Sequence, residues 1–172
     1  MVLEMKVPHG TGADPAVLRP VIPVFLSYVM SFAFLGIYWN NHHHLLQAAR
    51  HVNGSILWAN LHLLFWLSLV PFVTSWMGEN RFAPWPVALY GIVLFFAGFA
   101  YFILTKTLIA RHGRDSVLAT ALGSDLKEKV SVILYALAIP LSFVNSLYAC
   151  ALYIFIAVMW LIPDRRIEKV MA

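Results

Sequence analysis

The sequence predicts an all-α integral membrane protein of five transmembrane helices, with its N-terminus outside and its C-terminus cytoplasmic, and three observations predict it. First, 61% of the 172 residues are hydrophobic and only 12% are charged, at a mean hydropathy of +0.77. Soluble domains carry about 25% charged residues, and a 19.4 kDa chain has too little interior to hide so much apolar side chain. Second, four uncharged runs, 20–39, 55–78, 82–105 and 130–163, are each long enough to cross a bilayer as a helix, which takes about 20 residues. They do not alternate in polarity as barrel strands do. Third, the basic residues fall unevenly about these runs.

The last run, with 34 residues, would reach roughly 50 Å as one helix, well beyond a hydrocarbon core of about 30 Å. It is expected to fold back. Asp125 and Glu128 have capping-box spacing at its start, and PLSFVNS, residues 140–146, offers turn chemistry near the middle. Two short crossings result, near 126–140 and 146–162. The positive-inside rule supports the split. With five crossings, Arg50, Lys106, Arg111, Arg114, Lys127, Lys129, Arg165, Arg166 and Lys169 share one side, against Lys6, Arg19 and Arg81 on the other. With four crossings the tail changes sides and the two counts become equal, which leaves orientation unspecified. The organisation is therefore an extracytoplasmic segment at 1–19, a multi-pass membrane domain at 20–163 and a cytoplasmic tail at 164–172. A short cytoplasmic helix is expected within 111–129.

Several classes fall away. The net charge of +4 comes from short loops and the C-terminal end, with no basic patch carrying interleaved aromatics, so no nucleic-acid partner is expected. Cys150 is the single cysteine, which excludes a disulfide within the chain and a thiolate metal site. The first 15 residues contain Glu4 and Lys6 and lack an apolar core, so they do not read as a signal peptide. The spans hold no Thr-Val-Gly-Tyr-Gly filter and no arginine ladder.

The polar residues within the apolar runs concentrate in two places. YWNNHHH, residues 38–44, closes the first run, and SILWANLH, residues 55–62, opens the second across a short connection. Short loops make antiparallel neighbours, so Trp39, Asn41, His42 and His43 are expected near Trp58, Asn60 and His62 at the cytoplasmic side. Polar groups at membrane depth are costly unless they pair, which makes this cluster the candidate functional site. Three readings stay open for it: aromatic and histidine anchors at the headgroup level, a structural hydrogen-bond network that locks helices together in an oligomer, and a metal site. Against the last, consecutive histidines point about 100° apart on a helix, so His42, His43 and His44 cannot all face one ion. The spans also supply no carboxylate. Elsewhere, Gly91, Gly98 and Thr105 recur every seven residues on the third span, a seam that lets another helix approach. Ser27, Ser31, Tyr38 and His42 give the first span one slightly polar face, and Pro71 and Pro140 are possible kinks.

FLSYVMSFAFLGIYWNNHHHLL at 25–46, LWANLHLLFWLSLVPFVTSWMGE at 57–79, VALYG at 87–91 and the closing WLIPDRR at 160–166 together resemble the transmembrane protein 175 family of potassium channels, in its single-repeat bacterial branch. Tyr38-Trp39, Asn41-His42-His43, Asn60 and Pro71 carry the likeness most specifically. The resemblance implies six helices per repeat, four subunits around a pore lined by the first helix, and passive potassium permeation without the usual filter. It implies a homotetramer in the bacterial cell membrane, with potassium ions, lipid and further copies of itself as partners, no cofactor and no catalytic residue. The family's first helix carries an Arg-x-x-x-Phe-Ser-Asp motif whose Ser and Asp bond to groups that map onto Trp39, Asn41, His42, His43, Trp58 and Asn60. Phe-Ser-Asp occurs nowhere in this chain. The resemblance thus predicts that the first helix is lacking, that the chain holds helices two to six, and that the polar cluster has lost a carboxylate partner, at about 1–3 kcal/mol per unsatisfied group. Two alternatives from other classes are a membrane metal or redox enzyme using His42, His43 and His62, and a non-conducting scaffold.

Overall fold

The computed structural model describes residues 18–19, 21–47, 49, 51–112 and 126–161. They form five α-helices: α1 Ile22–Gln47, α2 Gly54–Glu79, α3 Pro84–His112, α4 Leu126–Val144 and α5 Ser146–Leu161. The expected helix within 111–129, Asp125 of the capping box, the basic residues Lys6, Arg50 and Arg114, and the tail from 164 lie wholly or mostly outside the described residues. The first three helices are each long and apolar enough to cross a membrane, with mean hydropathies of 1.7, 1.8 and 2.3. The chain is therefore a helical membrane protein.

Each helix starts where local chemistry favours it. Asn53 caps α2, its side chain accepting from the Ile56 amide at 3.1 Å and from the Ser55 hydroxyl at 2.9 Å. Pro84 opens α3 in the first turn, where its missing N–H costs nothing. α2 and α3 are joined by a tight connection in which the Arg81 amide donates to Gly78 O at 3.2 Å and the Phe82 amide to Met77 O at 2.9 Å. Arg81 and Phe82 both have positive φ, 49° and 59°, a region that costs a side chain about 1–2 kcal/mol. Phe82 offsets this by packing on the core. Arg81 is exposed and gains nothing comparable, so Arg81→Gly is expected to stabilise the protein by about 0.5–1 kcal/mol, whereas Phe82→Gly is expected to destabilise it. Thermal unfolding in detergent followed by tryptophan fluorescence reads both.

The polar end of the first run does not end its helix. α1 continues through YWNNHHH to Gln47; Asn41 and His42 meet neighbouring helices there, and Trp39 and His43 stack on each other within α1. The fold-back in the last run is present but later and tighter than the sequence suggests. α4 runs through Pro140 to Val144, and Asn145 alone separates it from α5. The Asn145 side chain accepts from the Leu147 amide at 2.9 Å and so serves the start of α5. Glu128, in the first turn of α4, is buried, and the Thr105 hydroxyl of α3 donates to its Oε1 at 3.2 Å.

α3 is the central element, packed against α2, α4 and α5, while α1 lies against α2 and touches α5. The start of α2, the ends of α1, α3 and α5 and the start of α4 share one end of the bundle, as contacts between Arg111 and Ser55, Thr105 and Glu128, and Asn41 and Trp160 require. Lys106, Arg111, Lys127 and Lys129 lie at this end, Arg19 and Arg81 at the other. Two packed clusters fill the interior. One joins Val70, Val73, Met77, Tyr90, Leu94, Tyr135 and Tyr153; the other joins Leu45, Ile56, Leu63, Ala97, Ala100, Leu104 and Leu108 toward the basic end.

Candidate functional site

The polar residues of 38–62 meet at the basic end of the bundle, but they divide between two faces of α1. On the first face, His42 and Asn60 link α1 to α2 at 2.5 Å, Nε2 to Oδ1. An amide oxygen only accepts, so this bond places the imidazole proton on Nε2. It is the one side-chain bond between these helices among the described residues of the expected cluster. Interhelical hydrogen bonds in membranes average about 0.6 kcal/mol and reach about 1.7. His42→Ala is accordingly expected to cost about 1 kcal/mol, and a cycle with Asn60→Ala, read by denaturant titration in detergent, should return most of that as coupling.

The other members do not converge on that pair. His43 stacks on Trp39, one helical turn back, with ring centroids 5.3 Å apart and planes at 12°. Trp39 and Trp58 are 65% and 73% exposed, so both rings point out of the subunit. His62 is exposed too, its Nε2 accepting from Trp66 Nε1 at 3.0 Å on its own helix. The three histidines of the enzyme alternative thus have three different partners. Among the described residues no group of three or more His, Cys, Asp or Glu is placed to hold a metal ion.

Asn41 faces different neighbours. Its side-chain amide donates to Ile37 O at 2.8 Å and to Trp160 O of α5 at 3.3 Å, and its backbone carbonyl accepts from the Tyr101 hydroxyl of α3 at 3.4 Å. Here α1 borders a second polar region that sequence reasoning missed. Trp160 Nε1 donates to Ser131 Oγ at 2.8 Å, Ser131 donates onward to Lys127 O at 2.7 Å, and Glu128 lies one step away with Thr105. A signal was available. Glu128, Ser131, Tyr135, Ala138 and Ser142 recur at three- and four-residue spacing and are the buried face of α4, but the flanking Lys127 and Lys129 make Glu128 look like part of a solvated charge run.

Gly91, Gly98 and Thr105 all look toward α4 and α5. What fills the space beside the glycines is tyrosine: Tyr153 against Gly91, Tyr135 and Tyr38 against Gly98. Small residues here make room for large rings on the next helices. At the far end, Gly78 of α2 similarly receives Ser27 of α1, and Ser27 and Ser31 are buried on that face.

Fold and site together define a polytopic helical membrane protein whose intramembrane polar groups join helices and whose described residues assemble no catalytic constellation. The family described as "Endosomal/lysosomal potassium channel TMEM175" matches residues 1–71, which include α1 and most of α2. A potassium channel of Chryseobacterium sp. (strain P1-3) is 53% identical over 169 residues, covering 98% of this chain and 87% of the relative. A potassium channel of Streptomyces collinus (strain DSM 40733 / Tue 365) is 28% identical over 163 residues, covering 85% of this chain and 75% of that one. A third, from Chamaesiphon minutus, is 28% identical over 88 residues. No solved structure matches the chain. The chain belongs to the transmembrane protein 175 family, which is a family of ion channels and not of enzymes.

Proposed function

We propose that the protein is a subunit of a potassium channel that conducts K+ passively through a homotetrameric pore in the bacterial cell membrane. The observation that carries this reading is the 53% identity, over nearly the whole chain, to a protein named as a potassium channel. The architecture is compatible with it. α1 and α2 present outward rows of large apolar side chains, among them Phe25, Leu26, Val29 and Phe32 on α1 and Leu57, Leu61, Leu64 and Phe65 on α2, a surface suited to lipid or to another subunit. The His42–Asn60 bond fixes α1 against α2 just where Trp39, His43 and Trp58 project from them. In this reading those residues form the structural polar network that helps position one subunit against the next.

All five helices cross the bilayer in this proposal. α4 and α5, with 19 and 16 residues, reach about 28 Å and 24 Å at 1.5 Å per residue, close to a hydrocarbon core of about 30 Å. The basic end that carries Lys106, Arg111, Lys127 and Lys129 faces the cytoplasm. Potassium flux into liposomes carrying the protein, with native mass spectrometry of the same preparation, tests function and assembly together. Flux above that of empty liposomes and a mass of four chains are expected. A stable tetramer without flux would favour the non-conducting scaffold. Labelling of single cysteines at Arg81 and Arg111 from opposite sides of the membrane tests orientation.

A further inference from the structure

We propose that copies of this chain join through an antiparallel helix seam. In it, the stripe Phe25, Val29, Phe32, Gly36, Trp39 and His43 of α1 packs against the stripe Trp58, His62, Phe65, Leu69, Phe72 and Trp76 of α2 in the next copy. Both stripes step alternately by four and three residues, the seven-residue repeat that keeps two helices facing along one line. Leu69 is half-buried and the other eleven residues are exposed. A chain does not cover its own stripes with these two helices. His43 stands about 100° round α1 from His42, which faces α2, and Trp58 about 160° round α2 from Asn60, which faces α1.

Gly36 and the two histidines favour protein over lipid as the cover. A Cβ on Gly36 would meet nothing within 4 Å, so no neighbour in its own chain needs the space, yet glycine inside a helix costs about 0.5–1 kcal/mol relative to alanine. Gly91 differs, because Tyr153 fills the space beside it. Lipid chains adapt to any side chain, whereas a ring on a facing helix needs a hole to enter. His43 and His62 are exposed on helices long and apolar enough to cross a membrane, and polar side chains in such helices rarely face lipid.

Depth sets the register. Copies related by rotation about the membrane normal hold each residue at the same depth. Within one chain, the His42–Asn60 bond and the approach of Gly78 to Pro23 and Ser27 fix which levels of α1 and α2 correspond. On that scale the stripes, read in opposite directions, pair layer by layer to within about two residues, or 3 Å. His43 is level with Trp58 and Trp39 with His62 toward the basic end, Gly36 with Phe65 in the middle, and Phe25 with Trp76 at the other end. The ring of Phe65 meets the open glycine, and each histidine meets an indole.

The area suffices for a specific contact. Phe25, Phe32, Trp39, Trp58, Phe65, Phe72 and Trp76 are 37–73% exposed, and at about 150–250 Å² per aromatic side chain they bring roughly 600–1,000 Å² to each interface. Val29 and the flanking Leu26 and Leu61, all exposed, carry it to the threshold of about 1,000 Å² for a specific interface. Each copy turns its α1 stripe to one neighbour and its α2 stripe to the other, the head-to-tail contact from which rings are built. The seam rests on the homo-oligomeric part of the reading above and not on conduction.

Cysteine cross-linking in a Cys150→Ala background tests it, with two differently tagged chains expressed together and oxidised in the membrane. Gly36→Cys on one chain is expected to form a disulfide with Phe65→Cys on the other. Phe72→Cys, about 10 Å further along α2, lies beyond disulfide reach of that position and is expected to give none. Gly36→Leu supplies a second arm. The open space around Gly36 lets the chain fold, so helical content by circular dichroism is expected to stay at the wild-type level while native mass spectrometry finds single chains. Equal cross-linking to Phe65→Cys and Phe72→Cys in an assembly of several chains would overturn the seam and spare the homo-oligomeric reading, as would an assembly that Gly36→Leu leaves whole. A wild type that is a single chain by native mass spectrometry would overturn both.

Discussion

Gly91→Ala is expected to destabilise the bundle by about 1–3 kcal/mol, the usual cost of forcing a methyl group into a packed interior. A Cβ at this position would overlap the Tyr153 hydroxyl oxygen and come within 3.0 Å of its Cζ and 3.1 Å of Ile139 Cγ1. Tyr153 cannot simply swing aside. Its hydroxyl donates to Val87 O at 3.1 Å, and its ring packs edge-on to Tyr90 with centroids 5.3 Å apart. Tyr153→Phe alone loses that hydrogen bond, worth about 0.5–1.5 kcal/mol. It also removes the atom that collides. The two substitutions together should therefore cost less than their sum, by about 0.5–3 kcal/mol. Denaturant titration of the four proteins in one detergent measures this. Additive costs would show that the α3–α5 contact gives way by helix displacement rather than at the tyrosine.

This contact also shows where sequence reasoning stops. The seven-residue recurrence of Gly91, Gly98 and Thr105 identified the face of α3 that needs small side chains, because spacing along one helix is written in the chain. Which groups occupy the space is not, since Tyr153, Tyr135 and Glu128 reach it only once α4 and α5 have folded back. The membrane class and the positions of the first three helices were legible for the same reason, as apolar length needs no partner. The first span was expected to close within residues 38–44, and α1 runs on to Gln47, since polar residues in a run usually mark water and here Asn41 and His42 meet neighbouring helices. Pro140 suggested a turn, but the ring is tolerated inside α4, where a turn at Asn145 does the work. Asn41 and His42, adjacent in sequence and so about 100° apart on the helix, meet different neighbours, α5 and α2, so a cluster drawn from proximity in the chain merged two separate contacts.

Trp160→Ala is expected to be the most damaging single substitution at the basic end, costing about 3 kcal/mol, the low end of the range for a large-to-small change because Trp160 is partly rather than fully buried. Trp160 packs against both apolar clusters, and its ring meets Tyr101 edge-on at 5.6 Å. Its indole N–H is tied to Ser131 of α4, while its backbone carbonyl receives Asn41 of α1. One residue near the end of the shortest helix thus touches three others. The two kinds of contact separate by substitution. Trp160→Phe keeps an aromatic ring and loses the indole donor, leaving Ser131 with one partner fewer; a cost of about 1 kcal/mol is expected. Trp160→Ala opens the wall of the cavity that it lines with Glu128 as well as losing apolar contact. If packing dominates, the phenylalanine variant will unfold near the wild type and the alanine variant far below it. If the Trp160–Ser131 bond instead sets the position of α4, both variants will fall together, and Ser131→Ala will fall with them.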